Sequence, residues 1–169
     1  MAALGGVPTC LAIPVGPPFA TVRTMAIERM DHVGVVVNDL AEAIEFFEAL
    51  GLEKGDKGSV EGDEVDRIIG LEGARSHLTF MRTPDGHSQI ELTQFKSPGT
   101  ADGDPKPPSN AAGLRHLCFA VDDLDAPLAA MQAKGGELVG EVVSYGNSYR
   151  LCYVRGPAGV IVELAEKIG

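Results

Sequence analysis

At 169 residues, with 44% apolar and 22% charged side chains, the chain suits one domain or two small modules around a shared core. That composition excludes an intrinsically disordered protein. A formal charge of −10 argues against nucleic acid and anionic membrane surfaces as partners, and no apolar run is long enough for a membrane span. A small anionic ligand stays open, because Arg67, Arg75, Arg82, Arg115 and Arg150 could gather into a local basic patch.

Residues 1–25 are rich in Ala, Gly and Pro and have no basic segment ahead of their apolar part, so they read as an irregular extension rather than a signal peptide. Cys10, Cys118 and Cys152 show neither zinc-knuckle spacing nor a disulfide framework. The last two lie in apolar strand patterns, as buried thiols in a reducing, cytoplasmic setting would.

A first module spans 26–95. Its opening stretch, 27–37, is β-branched and alternating around His32, which predicts a strand. Asn38 or Asp39 then offers an N-cap. Leu40, Ile44, Phe47 and Leu50 follow at helical spacing, and Gly51 stands where a left-handed C-cap belongs. The charged, Gly-rich stretch 54–64 predicts a loop. Strands are expected over 77–82 and 87–95, joined by the turn Thr83-Pro84-Asp85-Gly86. Residues 96–113, rich in Pro, Gly, Ser and Asp, form a linker.

A second module, 114–169, repeats the order. A strand over 114–121 leads to Asp123 or Asp125 as the cap of a helix through Ala133, with Pro127 tolerated in its first turn and Gly135-Gly136 ending it. A short strand near Leu138, a loop at 144–148, a strand over 149–155, the turn Gly156-Pro157-Ala158-Gly159 and a last strand through Leu164 complete it.

The two modules are copies. His32, Val37, Asp39 and Leu40 recur 84 positions later as His116, Val121, Asp123 and Leu124. Pro84-Asp85-Gly86 followed by Ile90-Glu91-Leu92 is answered by Pro157-Ala158-Gly159 followed by Val162-Glu163-Leu164. Each half therefore opens on a strand histidine and closes on a strand glutamate. Alternation sets where these point: Val33, Val35 and Val37 share one face and His32 the other, while Ile90 and Leu92 oppose Glu91. His116 and Glu163 likewise oppose Leu117, Phe119, Val162 and Leu164. All four ionisable residues face away from the helix of their own module. If the sheets curl towards one cavity, two imidazoles and two carboxylates meet there. Facing carboxylates repel unless a cation lies between them, and a divalent ion balances the pair. Nitrogen and oxygen donors suit zinc, nickel, cobalt, manganese or iron.

The repeated unit, with its His-x5-Asx-Asp-Leu opening and its Ile/Val-Glu-Leu close, resembles the vicinal oxygen chelate superfamily over about residues 27–166. That superfamily includes glyoxalase I, methylmalonyl-CoA epimerase, extradiol dioxygenases and bleomycin-resistance proteins. The resemblance implies an α+β fold of paired βαβββ modules, a cupped, open barrel-like sheet with helices outside. It implies one divalent metal held by His32, Glu91, His116 and Glu163, a small-molecule substrate, and a homodimer whose partner covers the sheet edges.

A His/Glu pair in each half resembles the proton-transfer branch, acting on thioesters, hemithioacetals or other vicinal-oxygen compounds. Glu163 is the first choice as base, with Glu91 as reprotonating partner and Asp66 third, the last on a strand preceding that of Glu91. Val36 and Phe95 stand where glyoxalase I carries the Arg and Asn used on glutathione, which argues against that thiol. The alternatives are an extradiol-type dioxygenase, whose facial triad a second Glu would crowd, and a non-catalytic binding or resistance protein.

Overall fold

The structure is a computed structural model and describes residues 27–101 and 103–169. Residues 31–169 form one compact unit, which carries every helix and strand found among the described residues; the described residues 27–30 contain neither. The expected irregular extension, 1–25, lies outside the described residues. Among the described residues no helix is long and apolar enough to cross a membrane.

Strand β1 (Val33–Val36) leads into helix α1 (Leu40–Leu50). The Asp39 carboxylate accepts from the amides of Ala41 at 2.8 Å and Glu42 at 3.1 Å, so the first-turn donors are satisfied. Gly51 ends the helix at φ 109°, a left-handed conformation that favours glycine. Two strands and a short helix follow: β2 (Glu53–Glu61), α2 (Asp63–Ile69) and β3 (Arg75–Arg82). Strand β4 (Gln89–Ser97) completes a sheet ordered β1-β4-β3-β2.

The second module runs β5 (His116–Val121), α3 (Asp125–Ala133), β6 (Glu137–Leu138), β7 (Val143–Tyr145), β8 (Tyr149–Arg155) and β9 (Ile161–Lys167). Its sheet is ordered β5-β9-β8-β6, with β7 also paired to β8. In both sheets the opening strand lies parallel to the closing strand at the edge, β1 beside β4 and β5 beside β9. The fold is α+β and built of paired modules; the sheets remain two and do not close into a barrel.

Several boundaries differ from expectation. The opening strand covers only Val33–Val36, and His32 lies one residue before it. The stretch read as a loop forms β2 and α2. Its charged residues make a poor apolar stripe, yet β2 forms because it pairs along β3 at the sheet's outer edge, where charge is tolerated. Helix α3 is preceded by Leu124 with no side-chain cap, although Asp123 accepts from the amide of Asp125 at 3.0 Å.

One apolar core serves both modules. It joins Ala43, Ile44, Phe46, Phe47 and Leu50 of α1 and Leu128 and Met131 of α3 to the helix-side residues Met81, Ile90, Leu92, Val154, Val162 and Leu164 of both sheets. The Phe46 ring lies so close to the β8–β9 turn that a Cβ on Gly156 would stand 2.6 Å from it. Helix burial on one sheet face leaves the other face to the polar residues.

Candidate metal centre

Parallel pairing places Gly34 opposite Glu91, so the carboxylate lies beside a backbone with no side chain, two residues past His32 on the same face. The His32 Nε2 is 3.9 Å from a Glu91 oxygen. On its outer side the His32 Nδ1 is 3.0 Å from an Asp31 oxygen, an arrangement that favours Nδ1–H and leaves the Nε2 lone pair towards Glu91. Thr93, two residues along β4, donates its hydroxyl to the other oxygen of Glu91 at 2.8 Å. Phe80 lies across β3–β4 from Glu91 and sets its ring edge-on to His32, with centroids 5.5 Å apart.

The second sheet repeats the construction. Cys118 stands in the place of Gly34, opposite Glu163. The His116 Nε2 is 3.1 Å from a Glu163 oxygen. Tyr153, across β8–β9 from Glu163, packs its ring on His116 at 5.1 Å and brings its hydroxyl to within 3.4 Å of Nδ1. Burial, then the negative charge of Glu163, push the Tyr153 phenol up; burial, then the charge of Glu163 and a hydrogen bond from the thiol to that carboxylate, push the Cys118 thiol up. Both stay protonated at neutral pH. Each half thus offers one imidazole nitrogen and one carboxylate, with an aromatic ring against the imidazole.

The four sequence-predicted residues come together two by two. The glutamate side chains are 23% and 17% exposed and the histidines 37% and 38%, so each pair is open on one side. Among the described residues no three His, Cys, Asp or Glu side chains lie close enough to hold a metal.

Asp66 does not belong with either pair. It sits in helix α2, not on a strand, and its two oxygens accept from the amides of Gly73 at 2.6 Å and Ala74 at 2.8 Å. Its carboxylate closes the loop between α2 and β3, a structural use of the group. The arginine patch is not formed as expected either, since Arg82 pairs with Asp56 and Arg150 with Asp125 and Glu166.

Asp31, Thr93, Phe80 and Tyr153 were not singled out from the sequence. The repeat held a signal for two of them, because Phe80 and Tyr153 occupy matching places across from the two glutamates.

The family model described as the glyoxalase/bleomycin resistance protein/dioxygenase superfamily matches residues 31–153, most of the chain and both pairs' histidines. The chain belongs to that superfamily. Among solved structures, a glyoxalase family protein from Bacillus cereus is 44% identical, with a TM-score of 0.82 over 87% of this chain and 99% of that one. The YaeR protein of Escherichia coli K12 is 34% identical, covering 85% of this chain and 99% of its own length. The human mitochondrial methylmalonyl-CoA epimerase is 22% identical, covering 95% of this chain and 87% of its own length. Membership in the superfamily accounts for the module plan and leaves the reaction open.

Proposed function

We propose that this protein is a metal-dependent enzyme that moves a proton next to a carbonyl, a lyase or isomerase for small thioester, hemithioacetal or other vicinal-oxygen substrates. One observation carries the reading: each sheet turns a histidine Nε2 towards a glutamate on the face away from its helix, and gives the Nδ1 an outer partner. Such outer partners orient metal-binding imidazoles. The relative named as an epimerase supports the isomerase form of the reaction.

The donors fit a divalent ion. His32, Glu91, His116 and Glu163 supply two nitrogens and two carboxylates, whose charges balance it, and zinc, nickel, cobalt, manganese and iron all accept that set. When bound, such an ion polarises a substrate oxygen and so acidifies the neighbouring C–H. No three of the four lie together within one chain's described residues, so the set is completed in a homodimer. The first pair of one protomer then meets the second pair of its partner, along the outer strands β1 and β5.

The chain's own chemistry lies in the two carboxylates, and they are not equivalent. Glu91 accepts a hydroxyl hydrogen bond from Thr93. The matching place after Glu163 holds Ala165, which has nothing to donate. Glu163, with no such hydroxyl along its strand, takes the substrate proton, while Glu91, steadied by Thr93, returns one from the opposite side.

Metal analysis of the purified protein and α-proton exchange in D₂O over a panel of α-hydroxy and 2-methyl thioesters and hemithioacetals test the proposal. Wild type should hold stoichiometric metal and exchange; His32→Ala/His116→Ala should lose the metal; Glu163→Gln should keep metal and lose exchange. Dioxygen uptake with a catechol and no exchange would move the assignment to a dioxygenase, and tight ligand binding without turnover to a binding protein. Mixing Glu91→Ala with Glu163→Ala protomers tests the shared site, because only a mixed dimer restores one intact set of four. No recovery on mixing would refute the shared site.

A further inference from the structure

We infer a second binding site, for a phosphate-bearing small molecule, on the opposite face of the first sheet from His32 and Glu91. A pocket of about 740 Å³ opens beside the first turn of α1, lined in part by Lys54, Lys57, Lys96, His77, Ser59 and Gln94. The size is that of a small-molecule pocket. Three lysines meet there in a chain that has only 14 basic residues against 24 acidic ones.

Their meeting is built by the backbone. In a regular strand Lys54 and Lys57, three positions apart, would point to opposite faces. The β2–β3 register shifts between them, so two residues of β2 lie opposite one of β3 and both lysines line the pocket. A second shift, between Arg75 and Ser76 of β3, leaves Lys96 of β4 as an inserted residue that lines it too. Bulges that re-aim side chains recur next to binding sites.

Charge points the same way. Among the described residues Lys106 and Lys134 form ion pairs, with Glu137 and Glu45. Lys54, Lys57 and Lys96 form none; Lys96 donates instead to Gln94 at 2.6 Å. His77 shares a 2.7 Å hydrogen bond with Ser59 at the same wall. The one carboxylate in the lining, Asp39, is committed to the α1 amides. Three unneutralised ammonium groups around a cavity repel one another, and a phosphoryl dianion relieves that repulsion with charge-assisted hydrogen bonds. Because the sheet separates this pocket from the His–Glu pair, the site does not depend on the metal or on the proposed reaction.

The test uses full-length, metal-free protein in chelator, titrated calorimetrically with inorganic phosphate, pyrophosphate and adenosine 5′-monophosphate. Saturable binding that weakens with salt is expected. Pyrophosphate tighter than the nucleotide would mark a free-phosphate site, and the reverse a nucleotide site. Lys54→Gln/Lys57→Gln/Lys96→Gln should bind about tenfold more weakly or worse. Lys106→Gln/Lys134→Gln, which removes paired lysines elsewhere, should bind as wild type, as should Glu91→Gln/Glu163→Gln. Equal loss in the paired-lysine variant would reduce the effect to overall charge and overturn the site. So would the absence of saturable binding by all three anions at millimolar concentration in folded wild type.

Discussion

Replacing Tyr153 by Phe isolates what an outer partner does for a histidine. The change keeps the ring that packs on His116 at 5.1 Å and removes only the hydroxyl, 3.4 Å from Nδ1. It also makes the second half resemble the first, where Phe80 occupies the matching place. His32 does not need a phenol, because Asp31 lies 3.0 Å from its Nδ1; His116 would be left with no such partner. Loss of an outer-shell partner of a metal-binding imidazole costs about 10- to 100-fold in affinity. The contact is neutral and longer than the usual 2.7–3.2 Å range, so the expected loss lies at the low end, about tenfold or ~1.4 kcal/mol. With its pKa raised by burial and by the charge of Glu163, the phenol stays neutral and acts as a hydrogen-bond partner only. The loss should therefore be the same from about pH 6 to 9, below the titration of an ordinary tyrosine. Competition against a chelating dye, with wild type and Tyr153→Phe side by side at several pH values, measures it. Wild-type affinity in the variant would show that Tyr153 does not orient His116, and a loss that grows with pH would show that the phenol titrates.

Ala165→Thr should supply Glu163 with the hydroxyl donor that Thr93 gives Glu91, lowering α-proton exchange several-fold with metal still bound; an unchanged rate would show that a hydroxyl partner on this carboxylate does not affect exchange. Asp66→Asn should lower stability by about 1 kcal/mol, since the amide keeps one acceptor for Gly73 and Ala74, and should leave exchange untouched; thermal unfolding beside the exchange assay separates the two. Gly156→Ala should cost about 1–3 kcal/mol by calorimetry, because the added carbon would stand 2.6 Å from the Phe46 ring.

The elements legible in the sequence are those in which local chemistry decides the backbone. Asp39 and Gly51 bound α1 because each satisfies or ends the helix by itself, whatever packs nearby. The direction of Glu91 and Glu163 was legible because Ile90, Leu92, Val162 and Leu164 are buried on the other face, and a period of two leaves no choice. Strand β2 was not legible: Glu53–Glu61 is mostly charged or glycine, and only its pairing with β3 makes it a strand. The role of Asp66 was hidden for the same reason, since the amides it holds come from a loop whose path depends on that pairing. Alternation tells which face a residue takes within its sheet and is silent on how two sheets stand to each other. The direction of the four candidate residues was thus visible one by one, while their division into two pairs was not.

That division bears on why a duplicated module would keep both copies of its acid. In the proposed metal site a single His–Glu pair offers two donors, too few to hold an ion firmly, so neither module would be complete alone. Duplication doubles the donors and at the same time frees the copies to differ where the chemistry is not symmetric. The outer partner is a carboxylate for His32 and a phenol for His116; the neighbour on the strand is Thr93 for Glu91 and Ala165 for Glu163; the residue opposite is Gly34 in one half and Cys118 in the other. Each difference changes what surrounds the pair, and none alters the strand order that places it. The proposed proton transfer needs one group that takes and another that gives. Two copies of one pair, alike in topology and unlike in surroundings, offer two such groups within a single fold.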